Sequence, residues 1–176
     1  MFNFFSPSLS LKYGDNVFNE QRLFFADSNF FEMFSFSLIN GQPDKVLKEI
    51  NSIVLTKTLA KKYFGNENPL GKTIQYEGEV DLLVTGLADD VPANSQIKFD
   101  AIISMGTIKR FFNNAMPTNW MWNPCITFDE IGRAKDVEML HSMMPTFIKK
   151  YFPPEFEVED LSFQPLKDIH LFSNLD

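Results

Sequence analysis

Cysteine is nearly absent from this chain. A single Cys125 among 176 residues rules out an internal disulfide framework and a zinc centre built from several thiolates. Histidine is almost as scarce, with only His141 and His170. Asp168 lies two residues before His170 and could share a strand face with it, but no third metal ligand accompanies them. No apolar run approaches the ~18 residues that span a bilayer. The opening MFNFFSPSLS lacks the basic region and small-residue cleavage site of a secretory signal. Cations are in deficit too. A formal charge of -7 argues against nucleic acid, whose affinity comes largely from Lys and Arg neutralising phosphates.

What is present describes an ordinary folded protein. Hydrophobic residues make up 44% and charged ones 22%, and the length allows one domain or two small lobes around a real core. Phenylalanine is abundant at 20 residues, ten of them before residue 37. Aromatics suit pleated, half-buried surfaces, so this excess reads as core filling in a strand-rich sequence. The paired lysines, Lys61-Lys62 and Lys149-Lys150, fall in the later turns of predicted helices. There they complement the helix dipole.

The densest signals lie between Asn51 and Pro92. Ser52–Leu55 predicts a strand. Thr56 is placed to cap a helix whose Leu59, Ala60, Tyr63 and Phe64 form one apolar stripe. Gly65 sits where such a helix ends at positive φ. Asn68-Pro69 and Gly71 turn the chain, Thr73–Tyr76 is extended, and Glu77-Gly78 suggests a hairpin into a strand over Asp81–Leu87. Gly65, Pro69, Gly71 and Gly86 are therefore structural motif positions. Before this segment, Ser8–Tyr13 and Val17–Phe25 read as a hairpin about Gly14-Asp15-Asn16. Asp27-Ser28 is placed to cap a helical turn carrying Phe30, Phe31 and Phe34, and Phe36–Ile39 reads as a strand closed by Asn40-Gly41. Pro43–Ile50 is a short helix or turn. After it, Lys98–Ser104, Cys125–Asp129 and Leu161–Leu171 are predicted strands, and Ile108–Phe112 begins a helix. Val137, Leu140, Met144, Phe147, Ile148 and Tyr151 mark an amphipathic helix that Pro145 should kink or break.

Little in this order carries chemistry. Gly65–Thr73 superficially suggests a phosphate-binding loop, but five residues separate its glycines instead of four, and a helix precedes where a strand is required. Lys72 then reads as a solvated turn residue. Cys125 has no neighbouring glycine-rich turn or histidine to make it a nucleophile. Asp89-Asp90 and Glu157-Glu159-Asp160 read as solvated charge. Trp120, Met121 and Trp122 sit in a polar loop. They form either a sugar-stacking or protein-contact surface or a plug beneath an irregular connection.

The order of signals from Asn51 to Pro92 resembles the MacB-like periplasmic core domain, the extracytoplasmic part of FtsX/MacB-type ABC transporter permeases. Leu23–Pro43, Pro92–Ser104 and Phe163–Asp176 resemble further passages of that family in the same order. The front departs from the pattern, because the strand–helix unit expected after a first membrane helix is not matched. The resemblance implies an α+β fold, with a strand-rich, Sabre-like lobe over residues 1–97. Residues 98–176 would form a partial α/β lobe, the C-terminal half of a Porter-like subdomain. That late sheet, lacking its early partner unit, is expected to self-associate or to leave a disordered region in the C-terminal half.

It further implies a non-catalytic domain on the periplasmic side of the bacterial inner membrane, without cofactor or metal. The domain would engage substrate or a periplasmic partner protein. Its other partners would be the ATPase subunit and the membrane-helix domain of the parent transporter, with a homodimer in the intact permease. A secreted carbohydrate- or protein-binding module using Trp120 and Trp122 is the alternative.

Overall fold

The computed structural model describes residues 9–114, 126–152, 158 and 161–166. They fall in two compact units, one ending at Phe128 and the other beginning at Asp129. In the first, eight strands form one sheet: β1 (Leu9–Tyr13), β2 (Asn16–Glu20), β3 (Leu23–Ala26), β4 (Leu38–Asn40), β5 (Ser52–Thr56), β6 (Thr73–Tyr76), β7 (Val80–Ala88) and β8 (Ala101–Ser104). The order is β2-β1-β6-β7-β5-β8-β3, with β4 beside the far half of β7.

The strands buried on both faces lie at the centre. Every residue of β5 and of β8 is buried, as their unbroken apolar runs require of strands covered from both sides. On one face Leu11, Ile53, Leu55, Ile74, Leu82 and Ile103 pack with Leu59, Tyr63 and Phe64 of helix α2 (Lys57–Phe64). On the other, Val54 and Ile102 meet Val46, Leu47 and the rings of Phe30, Phe31 and Phe99. Phe30 is edge-on to both Phe31 and Phe99, and Phe36 is edge-on to Phe99 at 5.0 Å. Phe24, Phe30, Phe31, Phe34 and Phe36 thus fill or border the second core, while Phe25 lies in the first.

Helix α2 matches the sequence signals closely. The Thr56 hydroxyl accepts a hydrogen bond from the Leu59 N–H, and Gly65 follows the last turn at φ 61°. Its ψ of -115° lies outside the left-handed helical well and is open only to glycine. The β6–β7 hairpin turns through Glu77 and Gly78, both at positive φ, as a type I′ turn requires.

Other expectations are corrected. Val17–Phe25 is not one strand: it breaks at Gln21-Arg22, and β2 and β3 end on opposite edges of the sheet. The Arg22 carbonyl accepts the Asp100 N–H at 2.9 Å, and its side chain binds the Asp100 carboxylate, which diverts the chain. The one-turn helix α1 (Phe30–Met33) starts at Asn29 with no side-chain cap, and Asp27 contributes only its carbonyl oxygen. Residues Met105–Phe111 form a 3-10 helix in place of the start of an α-helix.

Among the described residues the expected late sheet does not form; Cys125 and positions 167–171 lie outside them. β8 lies inside the main sheet, between β5 and β3; Ile126–Asp129 is irregular, and Leu161–Leu166 carries no strand. In the second unit, α3 (Ala134–Tyr151) runs unbroken through Pro145. Pro145 is exposed, so water can satisfy the His141 carbonyl that loses its helical donor. Val137, Leu140, Met144, Phe147 and Ile148 of the predicted apolar stripe are only half-buried, and Tyr151, Met139 and Met143 are exposed.

Gly86 is required for a different reason from Gly65. A Cβ there would sit 2.9 Å from Val46 Cγ1 and 3.1 Å from Val54 Cγ2. Two outcomes are expected in urea denaturation. Gly65→Val should cost about 1–3 kcal/mol through backbone strain. Gly86→Ala should cost about 1–3 kcal/mol through overpacking, and Val46→Ala in the same chain should recover part of that loss. Additive effects of the Gly86 and Val46 changes would refute the contact.

Candidate functional site

The loop between α2 and β6 is closed by its own backbone. Leu70 N–H bonds to Asn68 Oδ1 at 3.1 Å, Gly71 N–H to the Val84 carbonyl at 2.9 Å, and Lys72 N–H to the Pro69 carbonyl at 3.1 Å. Pro69 is buried and Gly71 stands at φ 75°. With α2 before it and β6 after it, the segment directs no helix N-terminus at a ligand, and these amides already have partners. Lys72 is more engaged than a solvated turn residue. It pairs with Glu67 and lies 5.5 Å from the Tyr13 ring centre. The ammonium holds the Glu67 carboxyl below its ordinary value, first by hydrogen bond and then by charge.

A cleft of about 380 Å³ opens where α2 begins and β8 approaches, lined by Arg22, Thr56, Thr58, Asp90, Lys98 and Asp100 among others. Its carboxylates are committed. Asp90 accepts the Thr58 N–H at 2.9 Å and the Thr58 hydroxyl at 2.8 Å, placing negative charge at the positive end of α2. Asp100 receives Nε and Nη2 of Arg22 at 2.9 and 2.8 Å. Asp90 is therefore a helix cap, where the sequence suggested solvated charge. With both carboxylates already accepting two hydrogen bonds, this cleft is suited to holding the chain together and poorly suited to proton transfer.

A third polar cluster lies where β2 meets the end of α2. Glu20, 7% exposed, accepts on one oxygen from both Lys62 Nζ and the Tyr63 hydroxyl, each at 2.7 Å. Burial, then the hydrogen bond to Glu20 and its charge, pushes the Tyr63 hydroxyl far above the ordinary tyrosine range. Burial, followed by the charge of Glu77, does the same to Tyr76. The sequence reasoning missed this cluster, because nothing local links Glu20 to Lys62 across 42 positions.

Among the described residues no group of three or more His, Cys, Asp and Glu side chains converges to hold a metal ion. Asp168, His170 and Cys125 lie outside the described residues, as do the acidic cluster Glu157, Glu159 and Asp160 and the loop Trp120, Met121 and Trp122. His141 is exposed and meets Phe163 edge-on at 5.3 Å.

The sequence profile of the MacB-like periplasmic core domain matches residues 3–128. The chain belongs to that family. It is a periplasmic core domain of the kind carried by MacB/FtsX-like ABC transporter permeases. Solved structures share its fold. A domain of a protein described as a permease from Porphyromonas gingivalis superposes with a TM-score of 0.59 at 19% identity, over 94% of this chain and 79% of that one. The periplasmic region of MacB from Actinobacillus actinomycetemcomitans gives 0.55 at 19% identity, over 82% of this chain and 63% of that one. The extracellular domain of the ABC-type transporter YknZ from Gram-positive bacteria gives 0.54 at 14% identity, over 81% and 71%. No protein of curated function matches the chain. Among the described residues no helix is long and apolar enough to cross a membrane.

The buried tyrosines set an alkaline limit on this domain. Unfolded tyrosines ionise near ~10, while Tyr63 and Tyr76 hold their protons to higher pH when folded. Their stabilising contribution is thus fully present below ~10 and declines above it, by up to about 1.4 kcal/mol per pH unit for each. Urea midpoints measured from pH 8 to 11 should fall at the alkaline end, and less steeply in Tyr63→Phe. An unchanged slope in that variant would show that Tyr63 does not contribute.

Proposed function

We propose that this chain is a non-catalytic domain of an ABC transporter permease on the periplasmic side of the bacterial inner membrane. It engages a substrate or partner protein while ATP-driven motion of the membrane helices is passed to it. The observation that carries the reading is the family match over residues 3–128. Support for a binding role without catalysis comes from the cleft at Arg22 and Asp100, where the carboxylates serve as caps and ion-pair partners. The partners proposed are the ATPase subunit and membrane-helix domain of the parent transporter, with two permease copies forming a homodimer.

Within the same reading, residues 1–97 are assigned to a Sabre-like lobe and residues 98–176 to half of a Porter-like one. The division passes through a continuous sheet, since β8 is hydrogen-bonded to both β5 and β3. Such lobes would share strands as well as a boundary, which suits the transmission of force through a ladder of backbone bonds.

Two measurements test the proposal. Nucleotide with magnesium should leave the melting temperature of the isolated chain unchanged, since tight binding to the native state must raise it. In the intact permease with its ATPase, a spin label at exposed Asn66 of each copy should show a distance change on adding ATP. A melting shift would contradict the first part, and a label distance indifferent to ATP the second.

A further inference from the structure

The outer edge of β2 has unsatisfied bonding capacity. β2 pairs only with β1, in a continuous antiparallel register from Tyr13↔Asn16 to Leu9↔Glu20. The two-residue turn at Gly14 and Asp15 makes Asn16, Phe18 and Glu20 the residues bonded to β1, so the N–H and C=O groups of Val17 and Asn19 point outward. Among the described residues nothing pairs with them. Val17 is 53% and Phe18 39% exposed. Natural edge strands are commonly blunted by lysine, proline or a bulge. Asn16–Glu20 contains none of these.

The surroundings give the edge a charge preference. Lys62 Nζ lies 4.4 Å above the Phe18 ring centre, on the α2 side of the edge. That ammonium is already paired with Glu20 at 2.7 Å. On the opposite face, exposed Lys12 stands directly across the ladder from Val17, and it has no ion pair among the described residues. Among those residues, the free cation beside this edge is therefore the one on the Val17 face.

We propose that the β2 edge takes an extended, acidic segment of a partner polypeptide as an added strand. Its backbone would bond Val17 and Asn19, and its carboxylates would lie on the Val17 face, toward Lys12. A second copy fits less well, because its β2 presents Val17 and Asn19, and no carboxylate, on the face of Lys12. This inference rests on the partner-engaging role above and names its surface.

The probes are two short synthetic peptides, alternating valine with glutamate or with lysine, N-methylated at every second amide so that each pairs along one edge only. The glutamate peptide should bind at least about tenfold more tightly than the lysine peptide in low salt. It should also slow hydrogen exchange at Val17 and Asn19. Asn19→Pro removes an outward N–H without touching the ladder to β1 and should abolish binding. Val17→Glu, which has no cause to disturb the fold, should weaken it, and Lys12→Glu should reverse the charge preference. Equal binding of both peptides, or binding indifferent to these substitutions, would overturn the proposal. So would dimerisation of the chain that is lost in Asn19→Pro, which would assign the edge to a second copy. Neither result would touch the ATP-dependent label distance, so the two readings fail separately.

Discussion

The sheet depends on one extra residue in β7. Ile53 pairs with Val84, but the next residue of β5, Val54, pairs with Gly86, leaving Thr85 without an opposite number. This bulge exchanges the two faces of the strand. Before it, Leu82 and Val84 face the α2 core; after it, Leu87 packs against that core while Ala88 belongs to the opposite one. Unbroken alternation would have turned Gly86 toward α2 and Leu87 away from it. The Thr85 hydroxyl holds the kink by reaching the Val46 carbonyl at 2.5 Å and the Ile53 carbonyl at 3.3 Å. The adjacent Gly86 lets Val46 press onto the strand. Through that local defect β7 contributes large side chains to the α2 core on both sides of the bulge and Ala88 to the opposite core.

The same bulge lets β7 serve three neighbours. Its first four residues pair with β6 and its last two with β4, both on one edge, while β5 runs along the other. The edge changes partner across Val84–Gly86, where Gly71 and Lys72 exchange backbone bonds with Val84 and the Val46 turn covers Thr85. Turns that look like connectors in sequence are here part of the sheet.

Local signals were legible, and pairings between distant segments were not. Thr56, the stripe from Leu59 to Phe64, and Gly65 fixed α2, because a capped helix is written within ten consecutive positions. Glu77-Gly78 fixed its hairpin for the same reason. The break at Arg22 was hidden, because its cause, Asp100, is 78 positions away. So was the cap on Thr58, because Asp90 belongs to a different loop. The bulge left one faint mark: Thr85-Gly86 inside an otherwise alternating strand. Pro145 did not break α3, since solvent on that face can satisfy the carbonyl it deprives of a donor. Of the motif positions, Gly65 and Gly71 stand at positive φ and Gly86 lies at the bulge, while the Glu20 cluster was invisible.

The use of the polar groups narrows what this domain can do. Asp90 caps α2, Asp100 locks Arg22, Glu20 binds Lys62 and Tyr63, Glu67 binds Lys72, and the Gly65–Thr73 amides close their own loop. A group spent on holding the fold is poorly placed to bind or transform a ligand, because leaving its partner unpaired costs about 1–3 kcal/mol. Backbone groups on an edge strand carry no such cost, since water satisfies them until another strand does. The β2 edge proposed above to take an added strand is a surface of this second kind, whereas Asp90, Asp100, Glu20 and Glu67 belong to the first.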